Sequence, residues 1–466
     1  MNKIVILSPK QKALSINLNQ NIYGTIVEAG AGQEVVRHFF RAGGASGTVA
    51  KAMSAYDKYF SNSIYGKEEN NRHVCENRLN NMLYHEYKLI TNRLKNSRHK
   101  NKCFFTYANT ICTINYEKTN KGHGWMGVRF QTTATKKSND AVIHVRLHDP
   151  DTSLQQETIG ILGINLIYAC YNHYKNPKKF IKSLYDNLSR DKVEIDTIKM
   201  DGPDFEDVDN RLLSLTLVKE GMTDAVMFGP NKENLQPADT LYKKNILTIR
   251  GSFKPVTKVN LNMKDNGYKQ FSTDRRVLKK NVLTLFEITL SNLTSGKNNI
   301  NEKDFLDRAD MLCELGQYVL ISNYKKYYKL VEYLSKFTKK RMGLIIGVDT
   351  FVQIFEEKYY RNLNGGILEA FGILLTRDIK IYLYPFKQKT KLLTSENLPI
   401  HYRVKPLFNY LLKNKRVIDL DYDDSILGIF SKKVLNKIKK GDKSWIKDVP
   451  KGVDKIIKSK KLFGYK

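Results

Sequence analysis

Two glycine-rich turns near the start of the chain have the residue types needed to bind a phosphate. The first, Gly30-Ala31-Gly32, follows an apolar run and precedes a predicted helix. Backbone N–H groups at a helix N-terminus attract anions, and glycine lets the backbone approach a phosphate closely. Glu28, just before this turn, could accept a hydrogen bond from a ribose hydroxyl or an amine. The second turn supplies further ligand-binding candidates, namely Gly43, Gly44, Ser46, Gly47 and Thr48.

These turns allow more than one interpretation. The pattern E-x-G-x-G, formed by Glu28, Gly30 and Gly32, resembles the first motif of methyltransferases that use S-adenosylmethionine, with Gln33 in place of the third glycine. The second turn lacks the lysine of a P-loop, which argues against a Walker-type ATPase. Tight packing and helix capping would explain the same glycines without any ligand.

A row of basic side chains is the second candidate for chemistry. In the segment IHVRLH, apolar residues alternate with His144, Arg146 and His148. Period-2 geometry places these three side chains on one face of a strand. Arg129, on the preceding predicted strand, could join them across a short turn. Arginine and histidine together suit a phosphorylated or carboxylated substrate, with histidine as acid or base.

The basic row predicts a catalytic surface that meets the glycine turns in a pocket. Neighbouring positive charges repel one another unless an anion or acidic side chains lie among them. Glu28 or the loop 201–204 are the expected acids. His144 and His148 lie about 13 Å apart along a strand, too far to share one metal ion. A solvated outer face of the sheet is the alternative.

An acidic loop follows a predicted strand that ends near Met200. Its first carboxylates, Asp201 and Asp204, could hold Mg²⁺, because carboxylate oxygens are the ligands that this ion prefers. A solvated turn that begins a helix accounts for the same residues.

Polar residues also follow two predicted strands in the second half of the chain. They are Ser322 and Asn323 after one strand, and Asp349 and Thr350 after the other. Doubly wound sheets open their ligand crevice at this position, although helix caps have the same composition.

The pattern of elements predicts an α/β protein. The first part combines helices with strands, including an antiparallel hairpin; the second has short apolar runs separated by helices, as in parallel sheets. The polar segment 262–274 suggests a boundary between domains 1–265 and 266–466. A long helix is expected over 276–292.

The charge balance raises the question of nucleic acid. The 466 residues include 78 Lys and Arg against 47 Asp and Glu, for a net charge of +31. Only 19 of the basic residues are Arg, the side chain that reads phosphate and guanine bidentately. The lysine excess indicates drift toward AT-rich codons, or else a functional basic surface. Either would raise nonspecific affinity for polyanions.

Five scattered cysteines, none in C-x-x-C spacing, predict free thiols in a reducing compartment. No apolar run reaches the roughly 20 residues of a membrane helix, and the N-terminal apolar run is short for a signal peptide. We therefore expect a cytoplasmic protein.

Longer motifs resemble a bacterial protein family that is common among Bacteroidetes. They are EAGAGQEVVRHFFRAGGASGT, GHGWMGVRFQ, GMTDAVMFGP, LYKKNILTIRGSFKPVT, VLISNYKKYYKL and GGILEAFG. Members of that family carry two conflicting labels, "nicotinate-nucleotide adenylyltransferase" and "TonB-dependent receptor". The second implies a signal peptide and about 22 membrane strands, and the sequence predicts neither.

The first label implies adenylyl transfer, with a His-x-Gly-His motif after the first strand and a second motif rich in Ser and Thr that ends in Arg. The nearest fragments are Gly122–Trp125 and Ile321–Asn323, and both are incomplete. The sequence thus favours an enzyme, a nucleotidyltransferase by label alone, that binds a nucleotide or phosphorylated metabolite. A nucleic-acid-associated binding protein and a non-catalytic scaffold are the alternatives.

Overall fold

A computed structural model describes residues 6–68, 71–94, 96–97, 99–295, 299–376, 379–388 and 391–466. The chain divides into two compact units, Met1–Thr223 and Asp224–Lys466. The boundary expected at 265/266 is therefore displaced, because two strands that precede it, Ala225–Phe228 and Asn245–Arg250, pair within the sheet of the second unit. The predicted α/β class is confirmed.

The first unit is built on a six-stranded sheet. Its strands are β1 (Ile22–Ala29), β2 (Val49–Ser54), β3 (Cys103–Cys112), β4 (His123–Phe130), β5 (Asn139–Leu147) and β6 (Val193–Asp201), in the order β2-β1-β3-β4-β5-β6. β1 runs parallel to β2 and β3, and the remaining neighbours are antiparallel. The ends of β1, β3 and β5 and the starts of β4 and β6 therefore share one edge of the sheet.

Helices cover both faces of this sheet. Among the described residues of the unit they are α1 (Pro9–Asn17), α2 (Glu34–Ala42), α3 (Lys58–Tyr65), α4 (Glu76–Leu94), α5 (Thr152–Asn172), α6 (Pro177–Leu184) and α7 (Asn210–Lys219). α1, α2, α5, α6 and α7 bury the main core against one face, whereas α3 and α4 cover the other face with a smaller apolar cluster around Leu79, Leu83 and Trp125. Because helices cover both faces, nearly every residue of β3 and most residues of β5 are buried.

The second unit contains an eight-stranded sheet. Its members are β7 (Ala225–Phe228), β8 (Asn234–Leu235), β9 (Asn245–Arg250), β10 (Val282–Thr289), β13 (Tyr318–Ser322), β14 (Met342–Gly347), β15 (Lys380–Tyr384) and β18 (Val417–Asp419), ordered β18-β15-β14-β9-β10-β13-β7-β8. Six of them are parallel, from β18 to β13; β7 and β8 are antiparallel additions. Two small hairpins pair β11 (Thr294–Ser295) with β12 (Asn299–Ile300) and β16 (Phe386–Gln388) with β17 (Lys391–Leu393).

Nine helices belong to this unit: α8 (Pro237–Leu241), α9 (Lys258–Phe271), α10 (Glu302–Glu314), α11 (Tyr327–Leu334), α12 (Val348–Ile354), α13 (Gly366–Leu374), α14 (Lys405–Lys413), α15 (Ser431–Lys440) and α16 (Val453–Ser459), within the described residues. Two local predictions were wrong here. The segment 276–292, expected to be one long helix, contains strand β10, whose β-branched and aromatic residues favour a sheet. The polar segment 262–274, expected to be a boundary, lies mostly in α9.

Within the part of the chain that the structure describes, no helix combines the length and the apolar character that crossing a membrane requires.

Candidate functional site

The first glycine turn brings the chain's own carboxylate to the start of α2. Gly30 and Gly32 have φ angles of 91° and 83°, and a side chain at Gly30 would overlap the carbonyl of Ile111. The Glu28 carboxylate accepts hydrogen bonds from the N–H groups of Val35 (3.1 Å) and Val36 (3.2 Å). The first turn of α2 thus already binds an anion that belongs to the protein.

Glu28 is completely buried within a polar network. Its carboxylate also accepts a hydrogen bond from the Asn109 side chain at 3.3 Å, and the same amide group donates to the Tyr107 hydroxyl at 3.1 Å. Burial raises the pKa of Glu28 to about 7, against the opposing effect of the hydrogen bonds from Val36, Val35 and Asn109. The group therefore changes charge near neutral pH.

The second glycine turn lies at the other end of α2. Gly43 and Gly44 have φ angles of 88° and 72°. The Asn17 side chain donates to the Gly43 carbonyl at 2.7 Å, and the buried Thr48 hydroxyl donates to the Asn17 carbonyl at 3.2 Å. Because α2 has nine residues and is about 13 Å long, the two turns do not form one cradle.

The basic row lies on one face of the sheet, and acids from neighbouring strands accompany it. Arg129 binds Asp140 through two hydrogen bonds of 2.8 and 2.6 Å. His148 lies 3.7 Å from Glu194. The strands of the sheet itself supply these acidic partners, whereas Glu28 and the loop 201–204 had been expected to do so.

Asp196 is the centre of this face. Its two oxygens accept hydrogen bonds from His144 Nδ1 at 2.7 Å and from Arg146 Nε at 2.8 Å. His144 pairs with Thr197 and Val145 with Ile195, so Asp196 is the extra residue of a β-bulge. Since the bulge directs the Asp196 side chain onto the basic row, a small backbone irregularity completes this charge network.

Glu28 lies on the opposite face of the same sheet. In the register across the strands, Glu28 pairs with Asn109, Asn109 with Met126, and Met126 with Ile143. Ile143 is adjacent to His144, and successive side chains of a strand point to opposite faces. The glycine turn and the basic row therefore lie at the same end of the strands but on opposite faces of the sheet.

His123 is a member of the row that the sequence interpretation missed. Its Nδ1 lies 3.4 Å from His144 Nε2, and it pairs with Arg146 across the strands. The His144 ring also packs on Trp125 with a centroid distance of 4.9 Å. The sequence could have identified His123, because the alternation of side chains along β4 places His123, Trp125 and Arg129 on the same face. The same argument had placed Arg129 in the row.

The acidic loop is held by hydrogen bonds within the protein. The Asp204 carboxylate accepts from Thr132 at 2.7 Å, Asn139 at 2.8 Å and Lys136 at 3.0 Å. Asp201 lies opposite Asp140 in the strand register. No group of three or more potential metal ligands occurs among the described residues. Mg²⁺ binding by Asp201 and Asp204 stays a prediction.

In the second unit, the strand-end residues divide into two groups. Ser322 donates to the buried Glu287 at 2.5 Å, and Glu287 also binds Arg250 through bonds of 2.5 and 2.8 Å. This cluster ties β9, β10 and β13 together. Asp349 and Thr350 are exposed in the first turn of α12, at the end of β14.

The parallel strands of this sheet reverse their order between β9 and β14. Across the sheet from β13 to β18, they are the third, second, first, fourth, fifth and sixth of the six parallel strands in sequence order. α9 packs on the face that carries Ile345 and Tyr382. α11, α12, α13 and α14 pack on the other face, which carries Leu344 and Ile346. The chain thus leaves β9 and β14 toward opposite faces, which opens a crevice at their carboxyl ends.

Three features border this crevice. The segment 251–257 connects β9 to α9. Its last residue, the buried Thr257, caps the N-terminus of α9 and donates to the Asn260 side chain through its N–H at 2.9 Å and its hydroxyl at 3.0 Å. Gly347 ends β14, and a Cβ atom added there would meet no atom within 4 Å. The segment 251–257 is therefore the loop that follows the first parallel strand of this doubly wound sheet. The nearest sequence match to the His-x-Gly-His motif expected after that strand, Gly122–Trp125, lies in the first unit instead.

Comparison with known proteins yields structural similarities of low score. No family model matches the chain, and no curated protein matches it. Among solved structures, it is similar to the competence/damage inducible protein CihA from Agrobacterium tumefaciens, with 14% identity over 34% of this chain and 94% of that chain and a TM-score of 0.26. A CinA superfamily protein from Enterobacter cloacae gives 10% identity over 36% and 94% of the two chains, with a TM-score of 0.26. A competence or damage-inducible protein from Enterobacter asburiae gives 10% over 35% and 95%, with a TM-score of 0.25.

Proposed function

We propose that the second unit binds a nucleotide in the crevice between β9 and β14, and that the protein is an enzyme acting on a nucleotide-type or phosphorylated metabolite. The observation that carries the proposal is the reversal of strand order at this point. Doubly wound sheets with this order bind nucleotides where the order reverses, outside the carboxyl ends of the strands. This step is an argument from fold, and the local features that follow support it.

The borders of the crevice have suitable chemistry for a phosphate group. α9 has 14 residues, so the partial positive charge of its N-terminus is fully developed. Lys258 in its first turn is exposed, and the Thr257 hydroxyl and Asn260 amide lie beside it. We place the phosphates of the nucleotide at this helix terminus.

Gly347 provides the space on the other side of the crevice. Its φ and ψ angles of −75° and 151° are ordinary extended values, so glycine is not required there by backbone strain. The open volume next to its Cα suits the base or ribose of a ligand.

Binding is better supported than adenylyl transfer. The adenylyltransferase label that the sequence resemblance suggested implies two histidines after the first strand. At the start of α9 the polar pair with that spacing is Thr257 and Asn260. A hydroxyl and an amide can bind phosphate oxygens but do not supply the positive charge or the proton of an imidazole. We therefore propose a nucleotide-binding unit without assigning transfer chemistry to it.

The experiment is calorimetric titration of the full chain with ATP, ADP and inorganic triphosphate. We expect ATP and ADP to bind, and Gly347→Leu to weaken binding at least about tenfold by filling the crevice. Gly372→Leu is the matched control, because Gly372 is an exposed glycine of α13 where an added side chain would likewise begin more than 4 Å from any other atom. It should leave binding unchanged.

Three results would overturn the proposal. One is that neither nucleotide binds to the wild-type protein. Another is that Gly347→Leu, folded by circular dichroism, binds ATP as tightly as the wild type. The third is equal binding of inorganic triphosphate and ATP, which would restrict the ligand to a polyphosphate and contradict recognition of the nucleoside.

A further inference from the structure

Three side chains of the first unit form a continuous hydrogen-bonded series from a buried carboxylate to the end of the strands. Asp196 Oδ1 lies 2.7 Å from His144 Nδ1, and His144 Nε2 lies 3.4 Å from His123 Nδ1. The side chains of Asp196 and His144 are each 3% exposed, whereas His123 is partly exposed at the start of β4. This series of side chains thus connects the interior of the unit with its surface.

The hydrogen-bond chemistry of these groups determines which nitrogen donates and which accepts at each step of the series. A carboxylate only accepts hydrogen bonds, so the proton of His144 lies on Nδ1. The Nε2 atom of neutral His144 then has a lone pair and accepts the Nδ1 proton of His123. By elimination, Nε2 of His123 is the basic nitrogen at the outer end.

Asp196 remains ionised at the inner end. Burial alone would raise the pKa of this carboxyl group. The charge of protonated His144, the charge of Arg146 and the hydrogen bonds from both side chains outweigh burial, and they hold the pKa of Asp196 well below its usual range. A fixed negative charge is therefore available to stabilise an imidazolium at His144.

We propose that His123 is a general acid–base group and that His144 and Asp196 are positioning residues that receive its proton. In the forward step, His123 Nε2 takes a proton from an O–H, N–H or C–H bond of a bound molecule, which keeps the electron pair. The Nδ1 proton of His123 passes to His144 Nε2. The positive charge then lies at His144, beside the Asp196 carboxylate, and the reverse transfers return the proton without any redox change.

Arg146 indicates the class of substrate. It is the cross-strand partner of His123, and its side chain is 20% exposed while Nε binds Asp196. A guanidinium beside an acid–base group suits an oxyanion of the same molecule. The substrate class is therefore a carboxylate- or phosphate-bearing metabolite with a transferable proton. This site lies wholly in the first unit, and its failure would not affect the nucleotide proposal.

The first test uses the unmodified full chain with ¹⁵N-labelled histidine. At neutral pH, NMR should show both His144 and His123 with the proton on Nδ1, although free histidine favours the other tautomer. A proton on Nε2 of neutral His144, or on Nε2 alone of neutral His123, would overturn the proposal.

The second test measures the acylation rate of His123 by diethyl pyrocarbonate, with exposed His401 as the internal reference. His144→Gln keeps a hydrogen-bond donor and acceptor but cannot take a proton, and Asp196→Asn removes the charge. Each should slow acylation roughly tenfold, which is less than the roughly 10²–10⁴-fold typical of general acid–base catalysis. Glu194→Gln, which changes another carboxylate of β6, should stay within about twofold.

Equal acylation rates in the wild type and in folded His144→Gln would contradict the relay. If Asp196→Asn does not fold, the tautomers of the wild-type protein still decide the question, because they require no substitution.

Discussion

Glu28 changes charge near neutral pH because the fold buries it, and this makes stability depend on pH. With the pKa of Glu28 raised from 4.5 to about 7, the folded chain binds this proton more tightly than the unfolded chain. Its contribution to stability is therefore complete below pH 4.5 and is lost as the pH rises through about 7. At 1.36 kcal/mol per pKa unit, the full loss is roughly 3 kcal/mol.

Replacement of this carboxyl group tests that dependence. Glu28→Gln can still accept the N–H groups of Val35 and Val36 but does not ionise. We expect the variant to gain stability relative to wild type at pH 8 and not at pH 4.5. The measurement is hydrogen exchange of peptides from β1 in a urea series at the two pH values. Glu34→Gln, at the partly exposed first residue of α2, is the control; an equal response of both variants would contradict the assignment to Glu28.

Helix packing in the second unit depends on one close approach. Gly267 in the middle of α9 is buried, and a methyl group there would overlap two atoms of the Ile345 side chain on β14. Overpacking of a core costs about 1–3 kcal/mol, whereas alanine in place of a helical glycine contributes about 1 kcal/mol. We expect Gly267→Ala to destabilise the unit, measured by thermal unfolding.

The same substitution in α13 should have the opposite sign. Gly372 is exposed, and no atom lies within 4 Å of the added methyl group. Gly372→Ala should therefore raise the unfolding temperature through helix propensity alone. Destabilisation of similar size in both variants would show that packing of α9 on β14 is not the cause.

The net charge of +31 acts at the scale of the whole molecule. We expect the protein to bind duplex DNA without sequence preference, with log affinity falling linearly with log salt as counterions are released. Titration of two unrelated duplexes between about 50 and 200 mM salt checks this. Sequence-selective binding that persists at the higher salt would favour the alternative of a nucleic-acid-associated protein.

The α/β class follows from the sequence by itself, and so does the common face of the basic row. Side-chain alternation is a local property of a strand, so the spacing of His144, Arg146 and His148 is sufficient to place them together. The crossover pattern of the second half likewise comes from the lengths of its apolar runs.

Only the tertiary structure decided the partners of these residues. Asp196 reaches His144 through a bulge, and Glu28 is separated from the row by the thickness of the sheet. The register of paired strands and their order in a sheet depend on hydrogen bonds between residues far apart in the chain. For the same reason, the crevice between β9 and β14 became visible only when the strand order was known.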